Sequence, residues 1–118
     1  MAIQTNSQKM AQTAYRRIVE RKPSEKFQTF AREFPSLVHS CGLAQAVAFA
    51  NAKERHHRQY LEDLSAVLSA IGHAEAASPD ALERATREDS VLAYVRLSRN
   101  ALQAASWLKR YVEAVEQE

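Results

Sequence analysis

Four histidines, one cysteine and a set of arginines are the side chains of this sequence whose types could do chemistry. Cys41 stands two residues from His39, the composition of a thiol nucleophile and its base. Two residues apart on a helix they would not face each other, and a small buried cysteine is far commoner. His56 and His57 are adjacent, and no two histidines have the spacing that sets a pair of ligands on one helical face. His73-Ala74-Glu75 matches the first half of a zinc deaminase signature, but the cysteine pair that completes it is missing. Two distant glycines supply neither a Walker loop nor a dinucleotide fingerprint. No catalytic residue, metal or cofactor is expected.

Anion contact is the chemistry that remains. Lys and Arg number 16 against 14 Asp and Glu, a net charge of +2 that says little by itself. Its distribution says more. The first 35 residues carry seven basic and three acidic side chains, and Arg96, Arg99, Lys109 and Arg110 have no acid between them. At about 100° per residue, Arg96, Arg99, Gln103, Ser106 and Arg110 fall in one narrow helical band with Trp107 at its edge. Arg96 and Arg99 have no Asp or Glu three or four residues away, so no local ion pair occupies them. A solvated face, or ion pairs with other helices, would give the same pattern.

The elements that must position these residues are helices. Ala, Leu, Glu, Arg and Gln are abundant, glycines number two and prolines three, and one cysteine allows no internal disulfide. The expectation is an all-α chain, one domain over residues 1–118 built as a compact bundle of five to six helices, with Met1 to Asn6 frayed. No segment reads as a signal peptide or a membrane span, which makes the cytoplasm the default address.

Pro35 to Phe49 is the most apolar stretch and the expected centre of the core. Pro35 should end or kink the preceding helix at Phe34, and Gly42 should close a helix in a left-handed conformation before another starts at Leu43. Before it, Ala11, Ala14, Tyr15, Ile18 and Val19 form one apolar stripe, with Lys9, Arg16 and Arg17 off it. Ser24 then caps a helix carrying Phe27, Phe30 and Phe34. After it, Tyr60, Leu61, Leu64, Val67, Leu68 and Ile71 give a stripe that stops at Gly72, and Ser78-Pro79-Asp80 starts a short helix. Asp89 or Ser90 caps the last helix, Val91 to Val115, which buries Leu97, Ala101, Ala104, Leu108, Val112 and Val115. Trp107 reads as core before it reads as a stacking surface.

Two segments carry a resemblance. Phe34-Pro35-Ser36-Leu37-Val38 followed by Cys41 to Phe49 resembles a proline, an apolar pair and then Gly-Leu-x-Gln-Ala-x-Ala-Phe. Tyr94, Leu97, Ser98, Arg99, Leu102, Trp107, Leu108, Lys109, Arg110 and Tyr111 resemble a closing pattern of an aromatic, a Thr-Arg pair, a Leu and Trp-Leu-Lys-Arg-aromatic. Both belong to the small-subunit family of the Cmr complex, the type III-B CRISPR effector. Ser98 replaces the threonine of that pattern and Asn100 an acid, which puts in question any cap or ion pair formed there.

The resemblance implies a non-catalytic helical subunit that stacks in a few copies along a ribonucleoprotein. Its partners would be the Cmr backbone and large subunits, further copies of itself, and guide and target RNA, with no membrane. A subunit that holds RNA of any sequence needs phosphate contacts. Arg16, Arg17, Arg96, Arg99 and Arg110 have that form, and Lys109 joins them from the matched motif, although Glu113 stands near it as an ion-pair partner. The alternatives are an unrelated helical DNA-binding or adaptor domain, and a small enzyme using His39, Cys41 or His56-His57.

Overall fold

Most helices here begin where a side chain accepts the backbone N–H groups that the first turn leaves free. The computed structural model describes residues 3–116, which form five α-helices and one short 3-10 helix. Thr5 caps α1 (Asn6–Arg21): its hydroxyl accepts from the Gln8 N–H, and the Gln8 side chain accepts from the Thr5 N–H. Thr5 and Asn6, expected within a frayed start, thus form the cap and first turn; Met1 and Ala2 lie outside the described residues. Ser24, Ser78 and Ser90 cap α2 (Glu25–Ala52), α4 (Pro79–Glu88) and α5 (Val91–Glu116) through their hydroxyls, with Pro79 at the first position of α4. α3 (Arg55–Ala70) follows a two-residue connection, and Gly72 (φ 103°) leads from it to the 3-10 helix Ala74–Ala76.

The centre of the chain differs from expectation at Pro35, and at Gly42 it matches in the place of the break but not in the backbone angles. Pro35 does not end a helix: α2 runs through it, and Phe34 is helical and fully buried. The ring removes the hydrogen bond that residue 35 would give Ala31, yet burial of Phe27, Phe30, Ala31, Phe34 and Val38 along one face outweighs that loss. The break comes at Gly42, where φ is 86° and ψ is 160°. These angles lie outside the left-handed helical region, in one that is nearly exclusive to glycine. α2 is therefore two limbs, residues 25–41 and 43–52.

Tyr60 of α3 sits in the core against three phenylalanines of α2, with ring centroids 5.9 Å from Phe27, 5.3 Å from Phe30 and 4.9 Å from Phe34. Burial pushes its phenol well above the ordinary range, and its hydroxyl has no hydrogen-bond partner among the described residues. α2 packs against α3, α4 and α5, while α1 lies across α3 and α5, giving a flat body of 42 × 41 × 21 Å. α1 is rotated from expectation. It buries Met10, Thr13, Ala14 and Ile18 and leaves Tyr15 and Val19 exposed.

Candidate nucleic-acid interface

α5 separates two faces as its spacing predicts. Leu97, Ala101, Ala104, Ala105, Leu108 and Val112 are wholly buried, and Val115 is half-buried. Arg96, Arg99, Gln103, Ser106 and Arg110 are all exposed. At 1.5 Å per residue the band from Arg96 to Arg110 is about 21 Å long. Its three arginines make no ion pair or side-chain hydrogen bond among the described residues.

The other candidate cations divide. Arg16 is exposed and likewise unpaired among the described residues. Arg17 is committed, its Nε donating at 2.8 Å to Asp63, a carboxylate of α3 with no exposure. Arg21 donates to the same carboxylate through Nε at 3.1 Å and Nη2 at 2.9 Å. The Asp63 hydrogen bond raises the Arg21 pKa despite the opposing effect of burial. Arg17 thus lies on the inward side of α1 with Met10 and Ala14, not off the stripe. Lys109 is half-buried and makes no ion pair with Glu113, though both line one groove.

Two open grooves run beside the C-terminal half of this band. One, of about 410 Å³, is lined by Ser7, Gln103, Ser106, Trp107 and Arg110. The other, of about 490 Å³, shares Ser106 and Arg110 and adds Lys109, Glu113 and Ala114. Trp107 packs against the edge of the core and is half-buried, its ring stacked on Tyr111 with centroids 5.9 Å apart and planes at 20°. Tyr111 in turn meets Tyr15 of α1 edge-on at 5.5 Å. Ser7, Tyr15 and Tyr111 escaped the sequence reading as parts of a surface. The i, i+4 spacing of Trp107 and Tyr111 was a usable signal; the contact across to Tyr15 left none. At the other end of the band Val91, Leu92 and Val95 are exposed, and Leu92 continues the line of Arg96, Arg99 and Gln103.

Two distant sequence segments meet beneath this surface. The Tyr94 hydroxyl accepts from the Ala44 N–H at 3.1 Å, one of the free donors at the start of the second limb of α2. It also lies 3.6 Å from where a Cβ on Gly42 would stand. Two positions depart from the matched pattern. The Ser98 hydroxyl is buried without a partner among the described residues, and Asn100 Nδ2 lies 2.8 Å from His73 Nε2.

The histidines and the cysteine are placed apart. Cys41 Sγ lies 3.1 Å from the Leu37 carbonyl, while His39 is exposed. His57 packs edge-on against Phe30 and Phe49, and burial, then the adjacent His56, lower its pKa. His73 is buried between Asn100 and Glu75, whose carboxylate lies 2.7 Å from His73 Nδ1. Among the described residues no group of three or more His, Cys, Asp or Glu is arranged to hold a metal ion.

Fold and surface together define an all-α domain that displays free cations along one long helix instead of gathering reactive groups in a cleft. A family model described as CRISPR-associated protein (Cas_Cmr5) matches residues 6–115. The chain is 35% identical, over 98% of its own length and 100% of the relative's, to the "CRISPR system Cmr subunit Cmr5" of Thermus thermophilus. It superimposes with a TM-score of 0.84 and 36% identity on the crystal structure of a CRISPR-associated Cmr5 family protein from the same organism, covering 94% of this chain and 97% of that one. The chain belongs to the CRISPR-associated Cmr5 family.

Proposed function

We propose that this chain is the non-catalytic small subunit of a type III-B CRISPR (Cmr) ribonucleoprotein in antiviral defence, where it stacks along the effector backbone and contacts phosphates of guide and target RNA. The observation that carries this reading is the exposed band of Arg96, Arg99 and Arg110, unpaired among the described residues and held on a rigid helix. Phosphate contacts need cations at fixed positions and no base-edge readers. Arg16, exposed and unpaired among the described residues, and Lys109, which lines a groove with Arg110, are further candidate cations, and Arg17, held by Asp63, contributes least. The relative's name supports a place in the Cmr complex.

The backbone and large subunits of that complex, and further copies of this chain, are the protein partners. The exposed apolar start of α5 supports such a contact, because a stand-alone chain gains nothing from a patch of Val91, Leu92 and Val95. No described helix is long and apolar enough to cross a membrane, and the assembly belongs in the cytoplasm. The reading assigns no catalytic residue, since His57 and His73 are engaged in packing and hydrogen bonding.

Co-purification of the tagged chain from its host, with sequencing of bound RNA and identification of bound proteins, tests it. Guide RNA and the other Cmr subunits should be recovered together. A chain that returns neither, or whose purified form cuts RNA and loses that on His56→Ala, overturns it.

A further inference from the structure

We infer that the groove between α1 and α5 is a stacking site for one unpaired RNA base, with Trp107 as its platform. This rests on the reading of the chain as an RNA-contacting subunit and adds a base site to its phosphate contacts. Three observations converge on the groove. Trp107 lines it and stacks on Tyr111, which Tyr15 meets edge-on, so the indole has aromatic support without a ligand. Arg110 lines the same groove and is unpaired among the described residues, ready for the phosphate that a stacked nucleotide carries with it. Gln103, Ser106 and Ser7 complete the wall with amide and hydroxyl groups that can donate to or accept from any base edge.

The occupant follows from charge. The groove lies at the end of a band that already carries Arg96 and Arg99, and a polyanion lying along α5 brings its bases to the flank where Trp107 stands. Every base has a π-face, so such a platform is sequence-tolerant, as contact with guides of arbitrary sequence requires. A tryptophan serving only to fill the core would be closed off by α1. Here Ser7 of α1 forms the opposite bank of an open groove.

Trp107 is the sole tryptophan of the chain, which makes its fluorescence a direct reporter. The full-length protein is titrated at low salt with a single-stranded RNA, with an abasic oligomer of equal length and with polyphosphate, while anisotropy of a labelled RNA records total binding. Stacking predicts quenching by the base-bearing RNA and little by the two backbone analogues. Trp107→Leu should weaken RNA binding on the order of ten-fold with the salt slope unchanged, and Trp107→Phe should recover most of it.

Arg96→Ala with Arg99→Ala should do the opposite, lowering the slope while leaving the quenching at saturation intact. RNA binding by anisotropy without quenching, or equal quenching by the abasic oligomer, overturns the base site and leaves the phosphate reading standing. No binding by either signal sinks both. A folded Trp107→Leu protein that binds RNA normally but drops out of the reconstituted complex shows the groove to be a protein contact and overturns the inference.

Discussion

Replacing Gly42 by alanine isolates the backbone cost of the joint between the two limbs of α2. The angles held there, φ 86° and ψ 160°, cost a residue with a side chain on the order of 1–3 kcal/mol. The new Cβ would meet the Tyr94 hydroxyl at 3.6 Å, ordinary contact, so collision adds little for alanine, whereas the branched side chain of Gly42→Val reaches further and should lose at least as much. At about 2.1 cal/mol/K of unfolding entropy per residue, 1 kcal/mol corresponds to about 4 °C for a chain of this length, which predicts a Tm lowered by roughly 4–12 °C. Tyr94→Phe removes the acceptor of the Ala44 N–H and should cost about 0.5–1.5 kcal/mol. Urea denaturation of the two single variants and the double variant closes a cycle. The alanine penalty should be the same in both backgrounds to within about 0.5 kcal/mol. A Gly42→Ala protein as stable as the parent would show that α2 is one continuous helix, and a penalty that vanishes with Tyr94→Phe would assign it to a clash with the hydroxyl.

Asp63→Ala strips Arg17 and Arg21 of the buried carboxylate they share, and because both arginines keep some access to water the loss should sit near the low end of roughly 3–5 kcal/mol. Arg17→Ala leaves Arg21 on Asp63 and should cost less than half as much by chemical denaturation; equal losses would contradict the shared pair. Tyr60→Phe removes a hydroxyl buried without a partner and should raise stability by about 1 kcal/mol, while a loss would mean the hydroxyl is satisfied. At Glu75, burial raises the carboxyl pKa, but the His73 hydrogen bond, a backbone hydrogen bond and the charge of His73 together bring it below 4.5. A carboxylate whose folded pKa is depressed stabilises above its unfolded value, and that contribution disappears as pH falls through the folded value. Wild-type Tm should therefore fall more steeply below about pH 4.5 than that of Glu75→Gln, and parallel profiles would refute the linkage.

Local chemistry was legible in the sequence, and rotation and distant partners were not. Ser24, Ser78 and Ser90 announce their helices because a cap is a matter of three residues, and the two faces of α5 follow from spacing over seven turns. α1 misled because a three-four spacing fits both Ala11, Tyr15, Ile18 and Met10, Ala14, Ile18. The rotation is tied to Asp63, which draws Arg17 and Arg21 inward from a helix 42 to 46 residues away. For the same reason Arg17 looked as free as Arg16. Pro35 misled because a local rule was applied where burial of Phe34 and its neighbours decides the outcome. Gly42 was located correctly, but that its break is held by the Tyr94 hydroxyl on the Ala44 N–H, from fifty positions on, could not be read locally, just as the aromatic support of Trp107 depends on Tyr15.

The phosphate-contact claim is tested most directly by the salt dependence of RNA binding in the reconstituted complex, wild type against Arg96→Ala with Arg99→Ala. Both arginines are exposed and opposite the buried Leu97, Ala101 and Leu108, so the double variant should fold and assemble. Its affinity should fall by similar factors for unrelated RNA sequences, and the slope of log affinity against log salt should shrink by about 0.7 for each single-strand phosphate contact removed. An incorporated double variant with unchanged affinity and slope would contradict the account, as would a loss confined to particular sequences.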